Sequence, residues 1–200
     1  MAMEKDSIPF LLSALAITCA IGAAGLAVTF TVTKPVIDAT TIREQNDTVR
    51  MVLPDFDGTI TQKTVTGTDG STKDFFIAHS SQNTVVGYAT VTSAVGYGGP
   101  VVVMVGFLPD GTIYGVQLLR HQETPGLGAK AGTPSFEDQF KGKKLSSPDD
   151  MLHVIKTGPK TNDTITAITA ATITSKAFTR AVNAAIHTFL KHRTELAQAG

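Results

Sequence analysis

Hydrophobic and polar positions divide the chain into an apolar run, a polar stretch, a β-patterned middle and a helical end. Ser7 to Thr33 carries no charged residue and lies between Asp6 and Lys34. About 20 residues of helix cross a hydrocarbon core of roughly 30 Å, so residues 7–33 form a transmembrane anchor through a lipid bilayer, after a short leader at 1–6. A cleaved signal peptide is the rival reading. The run exceeds the roughly 7–15 apolar residues usual for one, and Glu4-Lys5-Asp6 is not a positively charged leader. Ile42, Val49 and Val52 on a polar background predict a juxtamembrane helix or linker over 34–53, started by Thr40-Thr41. The soluble domain is then 54–200.

Turn formers at Pro54, Asp55, Asp57 and Gly58, and again at Gly67, Asp69, Gly70 and Ser71, break the next segment into short strands and loops. From Thr84 to Leu119 the runs TVVGYATVTSAV, VVVMVGF and TIYGVQLL are rich in β-branched residues and predict three adjacent strands. Pro109-Asp110-Gly111 makes the second and third an antiparallel hairpin. Thr133 before Pro134 starts a short helix that puts Phe136 and Phe140 on one face. Phe178, Val182, Ile186 and Phe189 recur at helical spacing, predicting a last helix capped by Thr174 or Ser175, with Lys191, His192 and Arg193 toward its negative end. The fold class is α+β: one transmembrane helix, then a mainly antiparallel sheet with flanking helices.

Seventeen basic residues balance seventeen acidic ones. No overall field exists to hold a nucleic-acid backbone, and nucleic acid is not an expected partner. The single cysteine, Cys19, falls in the apolar run, which excludes a disulfide framework, a multi-cysteine zinc site and a thiolate-bound iron–sulfur cluster within this chain. Lys141, Lys143 and Lys144 read as a solvated helix end, with docking to an acidic partner as the weaker alternative. His121 reads as ordinary surface, and Gly98-Gly99 as a strand turn, since no GxGxxG or Walker pattern is present.

Thr172 ends the run ITAAT and precedes the ITS that opens the last helix. A phosphate attached there would face unsatisfied helix N–H groups and the positive end of the helix dipole, with Lys176 within reach. On spacing alone, a threonine-rich strand entering a helix cap is ordinary structure.

The segment AITAATITS, Ala167 to Ser175, resembles the flavinylation motif of the family formed by the G subunit of the Rnf electron-transport complex and the C subunit of the sodium-translocating NADH:quinone reductase. Thr169, Ala171, Thr172, Thr174 and Ser175 match that motif. Ala170 stands where the family has glycine, and Thr166 where it has aspartate. Gly96-Tyr97-Gly98-Gly99-Pro100 with the following VVVMVGFLPDGTI resembles the family's strand-turn-strand region, and His121 to Gly128, HQETPGLG, resembles its HxETPGLG loop. The resemblance implies an FMN-binding domain carrying FMN esterified through its phosphate to Thr172. It also implies that Glu123 and Thr124 bond the polar edge of the flavin ring, and that Leu127 covers its face beside Gly126.

The implied function is electron relay without a stand-alone substrate, in an Rnf-type ferredoxin:NAD oxidoreductase coupled to ion translocation. The implied partners are the other subunits of that complex and a flavin transferase for maturation. The implied place is a bacterial or archaeal cell membrane, with the soluble domain on the outer face. Local charge disagrees: Lys34, Arg43 and Arg50 follow the span and only Lys5 precedes it, a count that puts the domain in the cytoplasm. A C-type quinone-reductase subunit, another anchored flavin-binding module, and a structural subunit lacking flavin are the alternatives.

Overall fold

The computed structural model describes residues 8–67, 70, 72–147, 149–159 and 161–198. The expected leader at 1–6 and position 7 of the span lie outside the described residues. The chain divides into two compact units, residues 1–45 and 46–200.

Helix α1 runs without a break from Ile8 to Val52, so the juxtamembrane segment is helical as expected but continues the first helix instead of starting a new one at Thr40-Thr41. Pro35 removes one backbone donor, and the helix continues through it. Within the first unit, Ile8–Thr31 is long and apolar enough to cross a membrane, and none of it is buried.

The second unit is built on a five-stranded antiparallel meander in sequence order: β1 Ile60–Thr66, β2 Thr72–His79, β3 Val85–Val95, β4 Pro100–Phe107 and β5 Ile113–Arg120. The three strands expected from Thr84 to Leu119 are β3 to β5. The Pro109-Asp110-Gly111 turn is closed by Leu108 N–H on the Thr112 carbonyl at 2.8 Å, with Gly111 at φ +91. Lys144 donates to the Asp110 carboxylate at 2.9 Å and, with the N–H and hydroxyl of Thr112, holds its pKa down to about 2. Lys143 reaches the carbonyl of Asn162, and Lys141 lies over the Tyr114 ring. The basic cluster is therefore used within the domain.

Both faces of the sheet are covered, which explains why β4 reads as an unbroken apolar run instead of an alternating one. Phe75, Ile77, Val103, Val105 and Phe107 point to one face, against helix α3, Thr172–Ala197. There Phe189 stacks on Phe107 at 4.8 Å, and Phe178 meets Phe136 and Phe140 at 5.3 and 5.2 Å. Phe136 and Phe140 share a face as expected, although helix α2 is a single turn, Pro134–Glu137, continued by a 3-10 turn. Thr133 does not cap it; its hydroxyl donates to the Lys130 carbonyl.

The opposite face takes Phe76, Ala78, Ala89 and Met104, covered by Val49, Val52 and Leu53 at the end of α1. Three strand glycines make this fit. A Cβ on Gly106 would overlap the carbonyl of Val52, one on Gly87 would come 2.8 Å from the Leu53 side chain, and one on Gly115 would come 3.2 Å from Val52 Cα. The last turn of α1 thus lies in a groove with no side-chain floor.

Two short strands, β6 His153–Ile155 and β7 Thr164–Thr166, pair in parallel. Their length and polarity hid them from the sequence reading. Asn183 of α3 clamps both backbone groups of Leu152, ahead of β6, at 3.0 Å. Gln139 likewise bonds Thr166 of β7, accepting its N–H at 2.8 Å and donating to its carbonyl at 3.3 Å. These two amides fix the point from which the chain enters α3.

Gly106→Ala is expected to lower unfolding stability by about 1–3 kcal/mol, because the new methyl must push the α1 end off the sheet. Denaturant unfolding of the full chain checks this, and an unchanged midpoint would contradict the packing described.

Candidate functional site

After β7 the chain turns sharply before beginning α3. Ala171 donates its N–H to the Ile168 carbonyl, and Ala170 sits in the left-handed region at φ +61. Ser175 braces this turn from inside the helix: its hydroxyl accepts the Ile168 N–H at 3.0 Å and donates to the Ala171 carbonyl at 2.9 Å. The expectation that Thr174 or Ser175 caps α3 is therefore corrected. The helix starts three to four residues earlier, at Thr172, with Ala171 in the capping position and no side-chain cap. Both hydroxyls are buried and used for tertiary contacts. Lys191, His192 and Arg193 lie toward the C-terminal end of the helix, as expected, and the helix runs on to Ala197; His192 bonds Glu195 and the Thr66 carbonyl.

With no cap, the first N–H groups of α3 have no intrahelical acceptor and present the positive end of the helix dipole. Thr172 is the first helical residue, is half-buried, and faces a cavity of about 480 Å³. Three segments form this cavity: the β3–β4 turn gives Tyr97, the loop after β5 gives Glu123, Thr124, Leu127 and Gly128, and the entry to α3 gives Ala170 through Thr174. Tyr97, Ile173 and Leu127 are 72, 53 and 42% exposed, so an unusually apolar edge surrounds a polar helix terminus.

Glu123 joins the three segments. It is 6% exposed. One carboxylate oxygen accepts the N–H groups of Tyr97 and Gly98 at 2.8 and 3.0 Å, and the other accepts the Thr174 hydroxyl at 2.5 Å. Glycines let the backbones approach. A Cβ on Gly96 would overlap the Glu123 carboxylate, one on Gly98 would overlap the Gln122 carbonyl, and one on Gly128 would come 2.7 Å from the Glu123 side chain. His121 takes part as an acceptor, receiving the Glu123 N–H on Nδ1 at 3.2 Å.

Of the residues expected to hold a cofactor, the cavity brings together Thr172, Ala171, Thr174, Glu123, Thr124 and Leu127. Gly126 shapes the loop at φ +77 without lining the cavity. Thr169 faces a separate cavity on the other side of the entry turn, alongside Gln139 and Lys130, and Ser175 lies beneath that turn. The carboxylate of Glu123 is fully engaged within the chain, whereas Thr124 is exposed. Tyr97 and Ile173 were missed as lining residues, because an exposed apolar side chain carries no sequence signal until the turn that presents it is known.

An exposed cavity of this size, with an apolar edge and a helix N-terminus, suits a flat ring joined to an anion. Residues 96–187 match the FMN-binding domain family. The G subunit of the proton-translocating ferredoxin:NAD(+) oxidoreductase complex of Clostridium ljungdahlii is 38% identical over 188 residues, covering 93% of this chain and 95% of that one. The G subunit of the ion-translocating oxidoreductase complex of Methanosarcina acetivorans is 30% identical, covering 92% and 95%. The crystal structure of Shewanella oneidensis NqrC superposes with a TM-score of 0.57 at 21% identity, covering 76% of this chain and 74% of that one, which is a likeness of fold. The chain belongs to the family of G subunits of Rnf-type ion-translocating oxidoreductase complexes.

Glu123→Ala is expected to cost about 3 kcal/mol or more, since it removes charge-assisted bonds and strands Tyr97 N–H, Gly98 N–H and the buried Thr174 hydroxyl. Thermal or denaturant unfolding reads the loss, and a change under about 1 kcal/mol would show that the three segments hold together without it. Ala170→Gly is expected to act in the opposite direction. A left-handed L-residue costs about 1–2 kcal/mol, partly offset by the roughly 0.5–1 kcal/mol of extra chain entropy glycine loses on folding. The expected gain is up to about 1.5 kcal/mol, read as a higher denaturation midpoint.

Proposed function

We propose that this chain is the membrane-anchored flavin subunit of an Rnf-type ferredoxin:NAD oxidoreductase, relaying electrons through FMN esterified by its phosphate to Thr172. The observation that carries this reading is the position of Thr172: an uncapped first helical residue on a cavity edged by Tyr97, Leu127 and Ile173. Family membership supplies the redox setting, and the free N–H groups of the α3 terminus supply the place for a phosphate.

The chain's own residues have separable tasks. The Thr172 hydroxyl provides the ester oxygen. The first N–H groups of α3 and the helix dipole stabilise the phosphate charge. Leu127, Tyr97 and Ile173 offer apolar surface for a ring and limit its contact with water, and Thr124 lies at hand for the ring's polar edge. Glu123 keeps the two loops registered on the helix. Thr169 and Ser175 shape the entry turn from its far side and from beneath, and Gly126 supplies the bend that presents Leu127.

When bound, the flavin supplies reversible one- and two-electron redox chemistry, which no side chain of this protein offers. Covalent attachment suits a carrier that serves fixed neighbours and must not exchange with solvent. The ester requires a separate flavin transferase that reads the entry turn. The remaining subunits of the complex are the redox partners, and Ile8–Thr31 holds the chain in the bilayer, with the soluble domain on the outer face.

Protein matured in its own cell should show fluorescence of a flavin that survives denaturing electrophoresis, and a peptide spanning Thr172 should carry the mass of an FMN phosphoester. Thr172→Ala should abolish both while leaving the unfolding stability within about 0.5 kcal/mol of wild type, since the side chain is not part of the core. Bare threonine in the wild-type peptide, or fluorescence that persists in Thr172→Ala, would defeat the assignment.

A further inference from the structure

Among the described residues that line the Thr172 cavity, Glu123 is the only charged one; the rest are apolar, glycine, tyrosine or threonine. Every side-chain bond it makes is one it accepts, from the N–H groups of Tyr97 and Gly98 and from the Thr174 hydroxyl. All three donors are neutral. No lysine, arginine or histidine forms an ion pair with it among the described residues.

Neutral dipoles solvate a charge without cancelling it. The two N–H groups, the hydroxyl and the positive end of α3 lower the cost of burying the carboxylate, and the cavity wall keeps a net unit of negative charge. That charge is shut away from solvent, since Glu123 is buried. Between buried groups the effective dielectric constant is about 20 instead of about 80, so a unit charge acts about four times more strongly than in water, and salt screens it little. Lys176 and Arg180 on α3 are exposed, and counter-ions damp their opposite influence. With its bonds turned inward, Glu123 acts on a ligand in the cavity through its charge instead of through a contact.

We propose that Glu123 sets the reduction potential of the flavin, holding it low by opposing the negative charge that each electron brings. The inference rests on the flavin assignment proposed above. A fixed anion in the wall raises the energy of a ring that has gained an electron and leaves the uncharged oxidised ring nearly unaffected. The same charge favours proton uptake by the ring on reduction, because a proton cancels what Glu123 opposes. A low potential makes the carrier a ready donor to the next centre, and only a stronger reductant can load it. Glu123 also assembles the cavity, so its charge and its shape have to be separated experimentally.

The test uses the full-length, flavin-loaded chain in detergent, titrated spectroelectrochemically under mildly alkaline conditions, where proton uptake offsets least of the added charge. Flavin per chain and the denaturation midpoint are measured on every sample. Glu123→Gln keeps the shape and loses the charge, Glu123→Ala loses both, and Glu123→Asp keeps the charge on a shorter side chain. At a fixed applied potential the ratio of reduced to oxidised flavin should rise at least about tenfold in Glu123→Gln and in Glu123→Ala, which is about 59 mV for a one-electron step or about 30 mV for a two-electron one. Glu123→Asp should stay within about threefold of the wild-type ratio, although its shorter reach breaks the clamp and lowers the midpoint. The shift in the neutral variants should persist when ionic strength rises from about 0.01 to 1 M.

Equal potentials in the wild type and the neutral variants would overturn the proposal. So would potentials that follow the midpoint, with Glu123→Asp beside Glu123→Ala, which would assign the effect to the shape of the cavity. A shift that vanishes at high salt would also overturn it, by showing that the charge acts through solvent. Should Glu123→Gln fail to load flavin, Glu123→Ala against Glu123→Asp makes the same comparison; loading lost in all three would assign Glu123 to maturation instead. Absence of covalent flavin from the wild-type chain would overturn the flavin reading first and this one with it; a fully loaded wild type whose potential ignores the charge would overturn this one alone.

Discussion

The site depends on a buried carboxylate. Glu123 gathers two backbone N–H groups from the β3–β4 turn and a hydroxyl from the first turn of α3, while its own backbone belongs to the loop after β5. Burying a charge is costly unless every lone pair faces a donor. Here both oxygens are engaged, and the positive end of α3 lies beside them. The arrangement makes the geometry of the cavity an all-or-nothing property. Loops that would otherwise move independently share one electrostatic partner, and none can leave without exposing an unpaired buried group.

Close approach is the second constraint, and the chain meets it with glycine on both sides of the domain. Gly96, Gly98 and Gly128 let backbone close over Glu123, while Gly87, Gly106 and Gly115 open a groove for the end of α1. The first set lies in the β3–β4 turn and the loop after β5, the second within strands β3 to β5, and they serve different ends: one closes the site around Glu123, the other seats Val52 and Leu53. Between them runs the apolar stack from Phe107 through Phe189 to Tyr88, which fixes α3 to the strands and so holds the α3 terminus at a constant place relative to the loops.

What was legible in the sequence follows the range of the interactions. The strands β3 to β5, their hairpin and the aromatic face of α3 are local patterns of β-branched residues and helical spacing, and they could be read directly. The parallel pair β6–β7 could not, because three-residue strands carry almost no pattern and are held by Asn183 and Gln139 from distant elements. The start of α3 was misplaced for a related reason. Thr174 and Ser175 have the residue types of a cap, but tertiary partners claim both hydroxyls, Glu123 in one case and the entry turn in the other. The role of Glu123 needed the fold as well. Its motif marked it as part of the site, yet only the three-segment assembly shows its carboxylate turned inward.

That inward turn has a consequence for charge. A carboxylate on the surface at this end of the domain would offset the nearby cations; one buried and engaged by three donors presents little of its charge to solvent. Lys176 and Arg180, on the face of α3 that carries Ile173, are exposed and have no exposed acid in the first turns of the helix, even though the chain as a whole is neutral. The same residue that assembles the cavity thereby leaves the α3 side of it positive. Internal order at the α3 terminus and an electropositive outer face are two results of a single placement, that of one acid beneath a helix end instead of beside it.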